Sequence, residues 1–227
     1  MKQIGLVFAL TLVVLPTAAQ TLYSNGPING NTDAFTINSG QIVSDSFEVS
    51  YGSTVTGLEF GVWLDSGDAM PGPCAHCLTG NTLSAEVSIT SQENGGTSYF
   101  DQRVLFTPSN CVFNEYGYDI CVETARFEGP DLNGGTYWLN LQNAEVASGN
   151  RVYWDENSGP SLASQNFIGS IPSESFTVLG EMTTCGRGGN CSQSQSQTVP
   201  EPGSIVLFGT GSFALLGLLR GLRCKPF

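Results

Sequence analysis

Histidine occurs once in these 227 residues, at His76, and basic side chains are scarce: 8 Lys and Arg against 20 Asp and Glu. The lone histidine lies between cysteines in a proline-flanked loop, which leaves a Ser-His-Asp triad without its base. No Walker loop, H-E-x-x-H, G-x-S-x-G or EF-hand loop is present either. Lysine is missing altogether between residues 20 and 198. That stretch holds Arg103, Arg126, Arg151 and Arg187 and 19 of the 20 acids, so 4 against 19 gives a balance of −15. Such a field repels polyanions, so no nucleic-acid partner is expected. Few windows have helical periodicity, and no repeat of 20–50 residues runs through the chain, which excludes solenoids and propellers.

What is present is glycine, at 28 residues, among many Asn, Ser and Thr, and short segments of alternating polarity. Thr54 to Leu64 is the clearest. Thr56, Leu58, Phe60, Val62 and Leu64 form a core face, with Val55, Gly57, Glu59, Gly61 and Trp63 on the other, a period of two. Leu83 to Thr90 alternates likewise, with Leu83, Ala85, Val87 and Ile89 on one face. Glu93-Asn94-Gly95-Gly96 then has hairpin-turn composition, with a return over Ser98 to Thr107. Further strands are expected at Ala34 to Ile37, Gln41 to Ser50, Ile120 to Phe127, Gly135 to Asn143, Arg151 to Trp154 and Ser173 to Leu179. Nine or ten short strands with turns between them predict an all-β fold, an antiparallel β-sandwich of jelly-roll-like or Ig-like type. Its expected span is residues 20–182, followed by a low-complexity flexible linker at 183–198.

Candidate binding residues follow from the same alternation. In Gly135 to Asn143, Trp138, Asn140 and Gln142 share the face opposite Tyr137, Leu139 and Leu141. An aromatic ring beside amides suits stacking and hydrogen bonding to sugars, although packing of the tryptophans in the core is the simpler reading. Asp65-Ser-Gly-Asp68 and Asp155-Glu156-Asn157 are oxygen-rich loops that admit calcium, and ordinary acidic turns explain them as well. No motif implies another cofactor or a dedicated metal centre. Among 20 acids some carboxyl pair meets the spacing of a glycosidase by chance, so no catalytic residue is assigned and no enzyme is expected.

Seven cysteines occur. Cys74, Cys77, Cys111, Cys121, Cys185 and Cys191 lie in the body, an even set that in an oxidising compartment predicts disulfides. Local pairs Cys111–Cys121 and Cys185–Cys191 are plausible. Cys74-Ala-His-Cys77 reads as structural too, because no second half of a zinc site and no thioredoxin-like context accompany it.

The two ends carry the address. Lys2, an apolar core from Ile4 to Leu15 and small residues up to Ala19 form a secretory signal peptide over residues 1–19, which calls for the Sec translocon and signal peptidase. At the other end stands Val199-Pro200-Glu201-Pro202. The prolines hold this peptide extended, as a processing cleft requires. An uncharged run from Gly203 to Leu219 follows. With Leu222 and the snorkelling stems of Arg220 and Arg223 it approaches the roughly 20 residues of a membrane span, so a single transmembrane helix is expected at about residues 203–222. Arg220, Arg223 and Lys225 cap it and set the body outside the cytoplasm.

Motif, span and basic end together, over residues 199–227, resemble the PEP-CTERM sorting signal of bacterial exported proteins. That resemblance implies recognition of Pro-Glu-Pro by an exosortase, a membrane transpeptidase. It implies transient anchoring in the inner membrane, then cleavage and delivery to the cell surface or medium, often among extracellular polysaccharide and biofilm material. More loosely, GGTYWLNLQNA (134–144), YWDENSGP (153–160) and IPSESFTVLG (171–180) resemble sandwich domains of other PEP-CTERM proteins, a likeness that implies fold and address and no chemistry.

Overall fold

The computed structural model describes residues 19–65, 83–185 and 191–193. Residues 1–18 of the signal peptide, Cys74 and Cys77, Asp68, the Pro-Glu-Pro motif, the apolar run and its basic end lie outside the described residues. Those described contain fifteen strands and no helix. In chain order they are β1 (Gln20–Ser24), β2 (Ala34–Thr36), β3 (Ile42–Val49), β4 (Ser53–Asp65), β5 (Ser84–Gln92) and β6 (Gly95–Leu105). Then come β7 (Thr107–Phe113), β8 (Tyr118–Arg126), β9 (Asp131–Leu132), β10 (Gly135–Glu145), β11 (Val152–Asp155), β12 (Ala163–Gln165), β13 (Gly169–Ile171), β14 (Phe176–Cys185) and β15 (Cys191–Gln193). The strands expected from alternation are all found. β1, β7, β9, β12, β13 and β15 were not foreseen, and β14 runs past residue 182 to pair with β15.

Two antiparallel sheets face one another. One has the order β13-β12-β3-β10-β5-β6. The other is built on β4, the longest strand. β8 and β9 pair with one edge of β4, and β7 lies beyond β8. On the other edge β4 changes neighbour part-way, pairing with β14 up to Phe60 and with β11 from Val62 onward. β1 continues the sheet beyond β14, and β2 beyond β11.

The core lies between the sheets. Leu58, Phe60, Val62 and Leu64 of β4 are buried with Val43 and Phe47 of β3, Val87 and Ile89 of β5, and Leu139 and Leu141 of β10. Each such side chain contributes about 1.5–3 kcal/mol by leaving water. Trp154 anchors the middle, edge-on to Phe60 (6.1 Å) and Phe176 (5.6 Å), and its indole N–H donates to the Ser175 carbonyl at 2.9 Å. The expected core face of β4 holds from Leu58 onward. Before that it slips: Leu179 stands opposite Gly57 and Gly180 opposite Val55, so Thr56 is bulged out of register. Val55 consequently joins the core while Thr56 is half-buried. One extra residue reverses the facing of everything on its far side.

Candidate functional site

Where β14 and β11 part along β4, the backbone has to be tied together by other means. The Gly61 N–H, between the two pairings, donates to Ser175 O at 3.1 Å. Any Cβ at residue 61 would run into Ser175 Oγ and the Ile28 side chain, so only glycine fits there. Beyond the split, Ser175 N donates to Asp155 O at 2.8 Å, and Glu156 bridges Glu174.

Asp155 is fully buried and serves as a clamp. Its carboxylate accepts from Trp63 Nε1 (2.6 Å), Asn29 N (2.9 Å) and Gly30 N (3.0 Å), which pins the loop after β1 onto the sheet. Burial pushes its pKa up, and these donors pull it back. Asp65, the described acid of the other calcium-admitting loop, ends β4 and is half-buried.

A second polar cluster lies inside the sandwich at the same end. Val43, Asp45, Phe47 and Val49 share one phase of β3, so the alternation that buries three apolar side chains also buries an acid. Asp45 Oδ2 accepts from the Glu174 N–H at 2.7 Å, while its Oδ1 has no hydrogen-bond partner among the described residues. Glu174 is also fully buried, and neither of its carboxyl oxygens has such a partner. Burial raises the Asp45 carboxyl to about 7, and it raises Glu174 well above the carboxylate range, helped by the neighbouring charges of Asp45 and Asp155.

Asn25 joins the cluster from the end of β1. Its Nδ2 has four oxygens around it: Ser161 Oγ (2.6 Å), Ser173 Oγ (2.6 Å), the Glu174 carbonyl (2.7 Å) and Asp45 Oδ2 (3.4 Å). Asn157 closes the group, donating to Asn25 O at 2.7 Å and accepting from Ser173 Oγ at 2.9 Å.

Asn157, Ser161 and Ser173 also line a surface groove of about 590 Å³. Its other walls include Trp138, Glu93, Leu162, Ile171 and Pro172. Of the expected sugar-binding residues, Trp138 is half-buried at this groove. Asn140 is buried and committed: its Oδ1 accepts from Ser44 Oγ (2.5 Å), and its Nδ2 donates to Thr90 Oγ1 (2.9 Å) and Ser88 Oγ (3.1 Å). Asn94, left-handed at φ 52, folds the β5–β6 turn over it and donates its backbone N–H to Ser44 Oγ at 3.1 Å. Gln142 shares that face, half-buried, opposite Ile42 and Glu86.

Cys111 and Cys121 are disulfide-bonded, joining β7 to β8. Cys185 and Cys191 stand opposite each other in the β14–β15 ladder. No three acidic, histidine or cysteine side chains gather as a metal centre among the described residues. Nor is any helix there long and apolar enough to cross a membrane. The residues that sequence reasoning missed are Asn25, Asp45, Ser161, Ser173 and Glu174. The only signal for them was an aspartate in the inward phase of an otherwise apolar strand.

Residues 198–223 match the PEP-CTERM protein-sorting motif. The chain carries a PEP-CTERM sorting signal. The match contains Val199, Pro200, Glu201, Pro202, Arg220 and Arg223, and ends before Lys225. A PEP-CTERM signal implies export, membrane-anchored transit and then processing by an exosortase. No curated protein matches the chain.

Proposed function

We propose that this protein is a non-catalytic component of the bacterial cell surface or extracellular matrix. In this reading it leaves through the Sec translocon on a cleaved leader and is held in the inner membrane by its C-terminal span. An exosortase-type transpeptidase then releases or transfers it. The single observation that carries the reading is the PEP-CTERM motif at residues 198–223. The Cys111–Cys121 bond supports it, being of a kind kept outside reducing compartments. So does a lysine-free body of high negative charge, which keeps an exported domain soluble.

Replacing Pro200, Glu201 and Pro202 together by alanine tests it. The variant is expected to accumulate at full length in the inner membrane while wild type is shortened and leaves. Processing and release at the wild-type rate would sink the sorting reading.

A second reading is favoured by the groove beside Trp138, in which the body binds extracellular polysaccharide. The half-buried indole offers a flat apolar wall, and Ser158, Ser161, Ser170 and Glu93 offer hydroxyl and carboxylate partners in one cavity. Few precisely placed polar groups on an apolar wall is the usual build of a small-ligand site.

A further inference from the structure

The Asp45–Glu174 interior does not balance its charge or its hydrogen bonds with the groups around it. Asp45 and Glu174 are both fully buried and near enough for the Asp45 charge to act on Glu174, and three of their four carboxyl oxygens have no partner among the described residues. The donors on hand are few. Glu174 N is used on Asp45 Oδ2. The Asn25 amide has two protons for four surrounding oxygens. The single Ser161 hydroxyl proton is shared between Ser173 Oγ (3.0 Å) and the Asp45 carboxyl, and that of Ser173 is directed at Asn157 Oδ1. This chamber is rich in oxygen and poor in protons. The ion pairs formed by Arg103, with Glu86 and Glu145, involve neither carboxyl.

We propose that this chamber is a calcium site, with Asp45 and Glu174 as its charged ligands and Ser161, Ser173 and the Asn25 side chain as neutral ones. Two carboxylates and one divalent cation make a neutral interior. Calcium takes six to eight oxygen ligands at about 2.3–2.6 Å in irregular geometry, and it tolerates hydroxyls, amide oxygens and water among them. Half a turn of the Asn25 amide replaces Nδ2 by Oδ1 at the chamber. The Tyr23 hydroxyl, which now donates to Oδ1 at 2.9 Å, then accepts from Nδ2. The entry path is the groove, because Ser161 and Ser173 line both. A site with only two acids fits the weak class of extracellular modules, with dissociation constants of about 10⁻⁴–10⁻³ M. The inference does not depend on what the groove holds or on how the tail is processed.

Thermal unfolding of the full-length protein in mild detergent, with chelator and then with millimolar calcium, tests it. At about tenfold excess over the dissociation constant the midpoint is expected to rise by about 5 °C. The rise should vanish in Glu174→Gln and in Asp45→Asn. No rise in wild type overturns the proposal, because the carboxyls are then held neutral by protons. A rise that persists in both variants also overturns it, because the ion then binds elsewhere. Should neither variant fold, Ser161→Ala decides, since it keeps both acids. A severalfold weaker calcium affinity by titration supports the site, and an unchanged affinity overturns it.

Discussion

Glu123 shows what one buried acid does to a whole domain. It shares the inward phase of β8 with Cys121 and Ala125 and is 1 % exposed, and its Oε2 has no partner among the described residues. Burial alone raises its pKa to about 8. An unfolded glutamate titrates near 4.3. Below both values the folded and unfolded chains are protonated alike, and this group gives no pH dependence. Between them the folded chain keeps a proton that the unfolded chain gives up, so stability falls as pH rises from about 4 toward 8. Asp45, raised to about 7, tilts the balance in the same direction. Glu123→Gln keeps the shape and cannot ionise. In urea unfolding with chelator, its loss of stability between about pH 5 and about pH 8 should be smaller than that of wild type by a few kcal/mol. An unchanged slope would mean that the carboxyl meets water or a cation in the folded state.

Among the elements, β7 depends most on a covalent tie. Six of the seven residues from Thr107 to Phe113 are exposed and Pro108 is half-buried, so little apolar burial holds the strand. Asn110, left-handed at φ 52, and Cys111 form a bulge between the Ser109–Val122 and Val112–Ile120 pairs, which brings Cys111 to Cys121. Cys111→Ser should lower stability by about 2–3 kcal/mol in denaturant titration. A loss below about 0.5 kcal/mol, the size of an ordinary surface change, would show that β7 holds itself. This strand also explains the limits of reading the sequence. β5 was legible because one face is buried and its sequence alternates, and β4 and β10 because their apolar residues alternate over most of their length, although both also bury residues of the other face. β7 has no buried face and so no alternation, and β12 and β13 have only three residues each. The Thr56 bulge was invisible because it depends on the partner strand. The chamber was illegible for the same reason at larger scale: Asn25, Asp45, Ser161 and Glu174 come from four separate stretches, and only the folded chain makes them neighbours. Asn140, legible as an outward amide, turned out to be spent on Ser44, Ser88 and Thr90.

For the molecule as a whole, charge decides which polymer the groove can accept. The body between residues 20 and 198 carries 4 basic and 19 acidic side chains, and Glu93 lines the groove itself. An acidic polysaccharide would be repelled at long range, so the ligand of the second reading is a neutral glycan, and its binding should change little with salt. On a glycan array, Trp138→Ala should weaken binding about tenfold, the loss of one aromatic contact of about 1.4 kcal/mol. Absence of binding to any glycan by wild type would sink this reading while leaving the sorting reading intact. The layout of β14 also bears on mechanical load. The strand starts at Phe176, beside the groove end of the sandwich, and runs ten residues to Cys185, about 33 Å. From Thr177 to Gly180 it is flanked by β4 on one side and β1 on the other, with ladder bonds perpendicular to its length. A pull that enters at the groove and leaves through the C-terminal end of β14 therefore runs along the strand. The bonds to both neighbours are then sheared together instead of being opened one after another, the geometry that resists tension best.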